Sequence, residues 1–254
     1  MIILGMTGPI GHGKTTFADA LTELEPSTVH FESSLIIAEV GNAFQAALTD
    51  IPDPYNVDRL NNWLKALPPI LQEIVHVNCS YDKIKLDQQA MEEHPVEYQK
   101  LILHVENLQR KPELMKQKIT KENKESFRPL LQWLGGYLVQ KIDSGIWYNE
   151  IVRRIHQAVA AGAQLCIVGG LRYPTDAAIL RGAGAIIVKV YRPGHLQSDL
   201  LDPTERERQN IQVDCTIMSN GSVADVKAFA KRFYADLKAN KIQHTYRSAE
   251  VAHS

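Results

Sequence analysis

Apolar and polar positions along the 254 residues change period several times, and the changes mark out elements. A short apolar run at 1–4, Met1-Ile2-Ile3-Leu4, predicts a strand that opens into a glycine-dense turn. Helical spacing over 15–24 follows, then a second strand at 28–31 and a helix at 35–48. From 51 to about 126 the strand signal disappears. The stretches "DIPDP" and "LPPI" are expected to break the chain there. Between the breaks run Gln- and Glu-rich segments with helical spacing, at 69–76 and 95–109.

The second half alternates more clearly. Leu130, Leu131, Leu134, Leu138 and Ile142 recur on one face of a helix at 128–142, and another helix at 147–161 is stopped by Gly162. Residues 164–168 and 185–191 are mostly apolar, as strands buried on both faces of a parallel sheet are. Between them Pro174 suits a first helical turn and Gly182 an end. A last strand is predicted at 215–218. Ser222, with Asp225 three positions on, caps a C-terminal helix whose apolar stripe is Val226, Phe229, Phe233 and Leu237. Strands separated by helices predict a three-layer α/β fold with a mostly parallel central sheet. The expected organisation is a core of residues 1–50 and 127–254 with a helical insertion at 51–126.

Composition adds limits. With 44% hydrophobic residues, 22% charged and a net charge of −1, nothing global argues for nucleic acid or membrane. No apolar run approaches the roughly 20 residues needed to span a bilayer. The N-terminus lacks the basic region of a signal peptide. Cys79, Cys166 and Cys215 are far apart with no metal spacing. The expectation is a cytoplasmic protein, without a membrane partner. Lys111, Lys116, Lys118, Lys121 and Lys124 are interspersed with Glu113, Glu122 and Glu125, as on a solvated helix face.

The glycine-dense turn fits G-x-x-x-x-G-K-[ST] in full: Gly8, Pro9, Ile10, Gly11, His12, Gly13, Lys14, Thr15. Small residues let successive backbone N–H groups form an anion cradle, and the following helix aims its positive end at the same point. Lys14 would reach the β- and γ-phosphates, and the Thr15 hydroxyl would coordinate Mg²⁺. The context, between a strand and a helix, is the one the motif requires. The loop reads as a P-loop for ATP or GTP.

Ligands of such sheets bind beyond the carboxyl ends of the strands. That rule singles out Glu32 after the second strand, Gly169, Gly170 and Arg172 after the third, and Arg192-Pro193-Gly194-His195 after the fourth. The polar stretch "SDLLDPTERERQN" adds Glu205, Arg206 and Arg208. Phosphoryl transfer needs positive groups around charge spread over three oxygens. Lys14, Arg172, Arg192 and one of Arg206 or Arg208 are the candidates.

The segments "RPLLQWLGGYLVQKIDSGIW", "IVGGLRYPTDAAILRGAGAIIVKVYRPG" and "PTERERQNIQVDCTIMSNGSVADV" resemble the bacteriophage deoxynucleoside monophosphate kinases in order and spacing. The resemblance covers 1–24 and about 127–240 and is weak or absent from 51 to 126. It implies a P-loop kinase fold and ATP phosphates on Gly11, Gly13, Lys14, Thr15 and Thr16. Arg192 would lie near the ATP, and Thr204, Glu205 and Arg206 would belong to a closing segment. Acceptor contacts would come from Arg128, Gln132, Trp147, Arg172 and Asp176. Trp147 would line the base pocket or else be a core residue, and Asp176 would accept from a base edge. The implied partner is a nucleotide or a modified-DNA acceptor, with pairing as a homodimer left open.

One position departs from the pattern. Where that family's strand ends in Asp-x-Arg, this chain has Gly170-Leu171-Arg172. Glu32 is the nearest substitute carboxylate, either as a general base for a hydroxyl acceptor or as a contact to Mg²⁺-bound water. The first alternative would suit the related kinases of 5-hydroxymethyluracil in DNA. A nucleotide-binding module without chemistry is the third reading.

Overall fold

The computed structural model describes residues 1–48, 50–79, 95–141, 143–195, 207–218 and 222–247. Among the described residues six strands form one sheet in the order β2-β3-β1-β4-β5-β6: β1 (Ile2–Thr7), β2 (Val29–Glu32), β3 (Leu165–Gly169), β4 (Ile186–Tyr191), β5 (Cys215–Met218) and β6 (Thr245–Arg247). Every pairing is parallel. The helices are α1 (Lys14–Leu24), α2 (Ser33–Ala47), α3 (Val57–Cys79), α4 (Pro95–Arg110), α5 (Arg128–Lys141), α6 (Ile146–Ala160), α7 (Pro174–Gly182) and α8 (Val223–Lys238). Two 3₁₀ turns, Pro112–Lys116 and Lys124–Phe127, lie between α4 and α5. This is the α/β architecture of a P-loop kinase.

By its contacts the chain forms two units, Met1–Glu32 with Ile151–Ser254, and Ser33–Glu150. In the first, successive side chains of β1 face opposite sides of the sheet, as the strand period requires. Leu4 and Met6 join a core with Phe17 and Leu21 of α1 and Phe229 and Phe233 of α8. On the other face a Cβ at Gly5 would come within 3.1 Å of Leu180 of α7 and 3.2 Å of Leu171. Helices therefore cover both faces. The α1–α8 contact is anchored by the Phe17 and Phe233 rings, 5.6 Å apart and edge to face, and by a surface ion pair between Lys227 and Glu23 at 2.7 Å. The start of α8 is the box the sequence predicts: Asp225 accepts from the Ser222 N–H at 2.9 Å, and Ser222 Oγ accepts from the Asp225 N–H.

The second unit is helical in its described residues. Pairs α2–α5, α4–α5 and α2–α3 pack together. Its centre is aromatic: Trp133 and Tyr137 stack at 5.3 Å, and Phe44 lies 5.6 Å from Trp133. Asn42 of α2 pins the segment before α5, accepting from the Ile119 N–H at 2.6 Å and donating to its carbonyl at 3.2 Å.

Three sequence expectations need correction. "LPPI" does not break the chain, because Pro68 and Pro69 lie inside the 23-residue α3. Two backbone donors are missing there, yet Leu67, Pro68, Leu71, Ile74 and Val75 are buried, and that packing outweighs the loss. β1 runs past Leu4 to Thr7, since Gly5 and Thr7 face packed neighbours. The strand at 215–218 is not the last, since the edge strand β6 follows it, its three residues too short for a period to show in the sequence. Ile142 lies outside the described residues.

Candidate functional site

β1 lies between β3 and β4, and the chain leaves it first toward β2 on one side and later crosses to β4 on the other. The carboxyl end of β1 is therefore a switch point, where an α/β sheet opens a crevice. Residues 8–13 fill that point. A Cβ on Gly8, whose φ is +132°, would collide with the Val190 carbonyl of β4. Gly11 and Gly13 adopt φ of +80° and +90°, left-handed values that an L side chain adopts only at a cost. Gly13 is the N-cap of α1, and it brings no side-chain cap; the first turn of α1 also holds no acidic residue. The positive end of an 11-residue helix, with no side chain capping it, thus faces the place of an anion. The Lys14 ammonium donates to the carbonyls of Gly8 and Pro9, both at 2.6 Å, so the lysine arches back over its own loop. These residues fit a nucleotide triphosphate, with Thr15 and Thr16 at the start of α1.

The strands on either side of β1 complete the surroundings. Thr7 Oγ1 donates to the Leu171 carbonyl at 3.2 Å, and the Leu171 N–H donates to the Met6 carbonyl at 3.4 Å, tying the turn after β3 to β1. Arg172 follows at once. Its side chain is exposed and has no ion pair among the described residues. Arg192, just past β4, is also exposed, and its N–H donates to Nδ1 of His12 at 3.0 Å.

His12 is 2% exposed. Its ring lies 5.3 Å from Tyr191 and 5.2 Å, edge on, from His195. Burial first, then the charges of His195, Lys14, Arg192 and Lys189, hold its pKa below the usual histidine value. The ring is neutral at pH 7 and, because Nδ1 accepts, carries its proton on Nε2. That buried Nε2–H has no acceptor among the described residues.

The carboxylates have different settings. Glu32 ends β2 opposite Gly169 of β3. Its side chain lies along that glycine, Oε1 standing 3.4 Å from where a Cβ would be. Gly170 adopts φ +75°, so the position that lacks the expected carboxylate is one where a side chain would be strained. Asp176 is 5% exposed, and its Oδ2 accepts from the N–H groups of Arg172 at 3.1 Å and Tyr173 at 3.0 Å. It caps α7 and fixes the backbone that carries Arg172. That oxygen is the cap acceptor at the start of α7.

In the second unit, Arg128 pairs with Glu125 at 2.9 Å on the surface, and Gln132 is exposed. Trp147 is 5% exposed, with its indole N–H donating to the Gly135 carbonyl at 3.3 Å. The packed alternative for this tryptophan describes that environment. Thr204, Glu205 and Arg206 lie outside the described residues. Two contributions escaped sequence reasoning: the acceptor role of His12 toward Arg192, and Asp176 as a cap. The second was readable, since a Pro-x-Asp start after a strand is a capping pattern.

A family profile described as deoxynucleotide monophosphate kinase matches residues 69–229. The chain belongs to that family. Its members are phosphotransferases acting on nucleotides, and the β3–α7 turn, Arg172, Asp176 and Arg192 fall within the match. The match also takes in 69–126, where the sequence showed little or no resemblance. It begins after the P-loop and Glu32, which lie outside it. No curated protein matches the chain. No helix among the described residues is long and apolar enough to cross a membrane.

Proposed function

We propose that this kinase moves the γ-phosphate of ATP, with Mg²⁺, to a deoxynucleoside monophosphate. One observation carries the reading. The cradle of residues 8–13 sits at the end of β1, and the two strands flanking β1 each lead into an arginine that is exposed and unpaired among the described residues. Positive groups on both sides of a phosphate loop suit a transition state whose charge spreads over three equatorial oxygens.

In this reading the N–H groups of residues 11–16 and the start of α1 hold the β- and γ-phosphates. Lys14 leaves the loop carbonyls to follow the charge as it moves. Thr15 offers its hydroxyl to Mg²⁺, which would supply charge neutralisation across the phosphates. Arg192 flanks the donor, and Arg172, held by the Asp176 cap, meets the transferring group and acceptor. A monophosphate is already anionic at its attacking oxygen, so no general base is needed.

Glu32 then acts on the metal's water shell. Two inter-strand steps of about 4.8 Å separate the ends of β2 and β1, a distance a glutamate spans through a bound water more readily than directly. The same carboxylate supports a second reading, in which Glu32 takes a proton from a hydroxyl on a modified base in DNA.

The test is transfer of labelled γ-phosphate from ATP into deoxynucleoside monophosphates, nucleosides, and duplex DNA with and without hydroxymethylated bases. Lys14→Met serves as blank. Lys14-dependent label in a monophosphate supports the proposal. Label only in hydroxymethylated DNA replaces it with the second reading. No Lys14-dependent label in any acceptor overturns both.

A further inference from the structure

The ladders of β4 end at Thr7–Lys189 on the β1 side and at Tyr191–Met218 on the β5 side, and Arg192 follows directly after the strand. The phosphate loop supplies an acceptor for its backbone N–H. His12 stands between two left-handed glycines, Gly11 and Gly13, and its ring lies against Tyr191 and His195 with Nδ1 accepting from the Arg192 N–H. The turn continues from there, with the His195 N–H donating to the Arg192 carbonyl at 3.3 Å. A second contact closes the same junction, because a Cβ on Gly11 would come within 3.1 Å of Nε2 of His195.

The loop that would hold the phosphates and the residue that would flank them are thus joined by one part-buried hydrogen bond across 180 residues of sequence. We propose that His12 is a positioning residue for the nucleotide: its Nδ1 fixes the backbone of Arg192 relative to the phosphate loop, so that the guanidinium meets ATP already placed. This rests on the reading of residues 8–15 as an ATP site. The consequence is that the tie matters to ATP only through the Arg192 side chain. A histidine that merely fills space would depend on its ring and be indifferent to Arg192.

Two substitutions separate bond from bulk. His12→Phe keeps a ring between Tyr191 and His195 and removes the acceptor. His12→Asn discards the ring but keeps an oxygen close to where Nδ1 stands. ATP affinity with Mg²⁺ and no acceptor is measured by calorimetry in both, in Arg192→Ala, and in the His12→Phe, Arg192→Ala double variant. Loss of one hydrogen bond's positioning predicts about 5- to 10-fold weaker ATP binding for His12→Phe. Restoration to within about 2-fold is expected for His12→Asn, and no further loss from His12→Phe once Arg192 is alanine. Should His12→Phe fail to fold, His12→Ala against His12→Asn makes the same comparison. Unchanged affinity in His12→Phe, or a loss that His12→Asn shares, or additive losses with Arg192→Ala, would each overturn the proposal. Lys14→Met is measured alongside. If it binds ATP as the unaltered protein does, the ATP site itself is misassigned, a failure distinct from that of His12 alone.

Discussion

Glu32 and Gly169 are register partners at the ends of β2 and β3, and the glutamate's Oε1 stands 3.4 Å from the place a Cβ on Gly169 would occupy. The bare strand end at Gly169 lets a carboxylate from the neighbouring strand lie over it, one residue before the position where a carboxylate was expected. Glu32→Gln tests what that carboxylate does. As a contact to the metal's water shell, its loss raises the Mg²⁺ concentration for half-maximal rate by about 10- to 100-fold, with kcat largely retained at saturating metal. As a general base, its loss lowers kcat by about 10²- to 10⁴-fold at every Mg²⁺ concentration. A Mg²⁺ titration of the initial rate in both proteins distinguishes them, and the first outcome is expected.

The phosphate loop predicts a contrast between two glycines. Gly8→Ala drives a methyl into the Val190 carbonyl, a backbone atom that cannot rotate away. Gly13→Ala meets nothing within 4 Å and bears only the strain of φ +90°. The expected losses of stability are about 3 kcal/mol for the first and about 1 to 2 kcal/mol for the second, read from urea denaturation. Equal losses would mean that the β4 backbone does not press on the loop.

The residues explain which of these features a sequence can announce. Residues 8–15 are legible because a cradle of backbone amides demands small residues at fixed spacing. Strands buried on both faces are legible as apolar runs, and Ser222 with Asp225 as a cap. The tie between His12 and Arg192 is not, because it joins positions 180 apart through a ring nitrogen and a backbone N–H, and a backbone N–H has no sequence signature. Pro68-Pro69 misleads for a related reason. A local rule for proline competes there with the burial of a long apolar helix face, and only the packed structure shows that burial wins. Trp147 reads from the sequence as lining a base pocket or as core, and its burial and the indole N–H on Gly135 are visible only in the structure.

Asp176 carries its own test. Its Oδ2 accepts two backbone N–H groups, one of them from Arg172. Asp176→Ala is expected to lower stability by about 1 kcal/mol as a lost helix cap and also to raise the acceptor KM, because the Arg172 backbone is freed. Asp176→Asn keeps an acceptor oxygen and should recover most of both effects. An asparagine variant as impaired as alanine would mean that the negative charge is what matters, as in direct contact with a substrate.

The last prediction concerns the second unit. His104 of α4 is 0% exposed, and neither ring nitrogen has a partner among the described residues. Burial pushes its pKa down to about 4. The folded protein therefore keeps the ring neutral, whereas the unfolded chain takes up a proton near pH 6.5. Stability from this residue is full above about pH 6.5 and is lost as pH falls from there toward 4, by about 3 kcal/mol in total. Below that, both states are protonated and the contribution is flat. His104→Leu removes the titrating group and two buried polar atoms that lack partners, at similar volume. The variant should be at least as stable as the parent at pH 7 and clearly more stable at pH 5. Urea unfolding of both proteins at pH 5, 6 and 7 measures it. Parallel pH dependence in the two would show that His104 is not what makes the fold acid-sensitive.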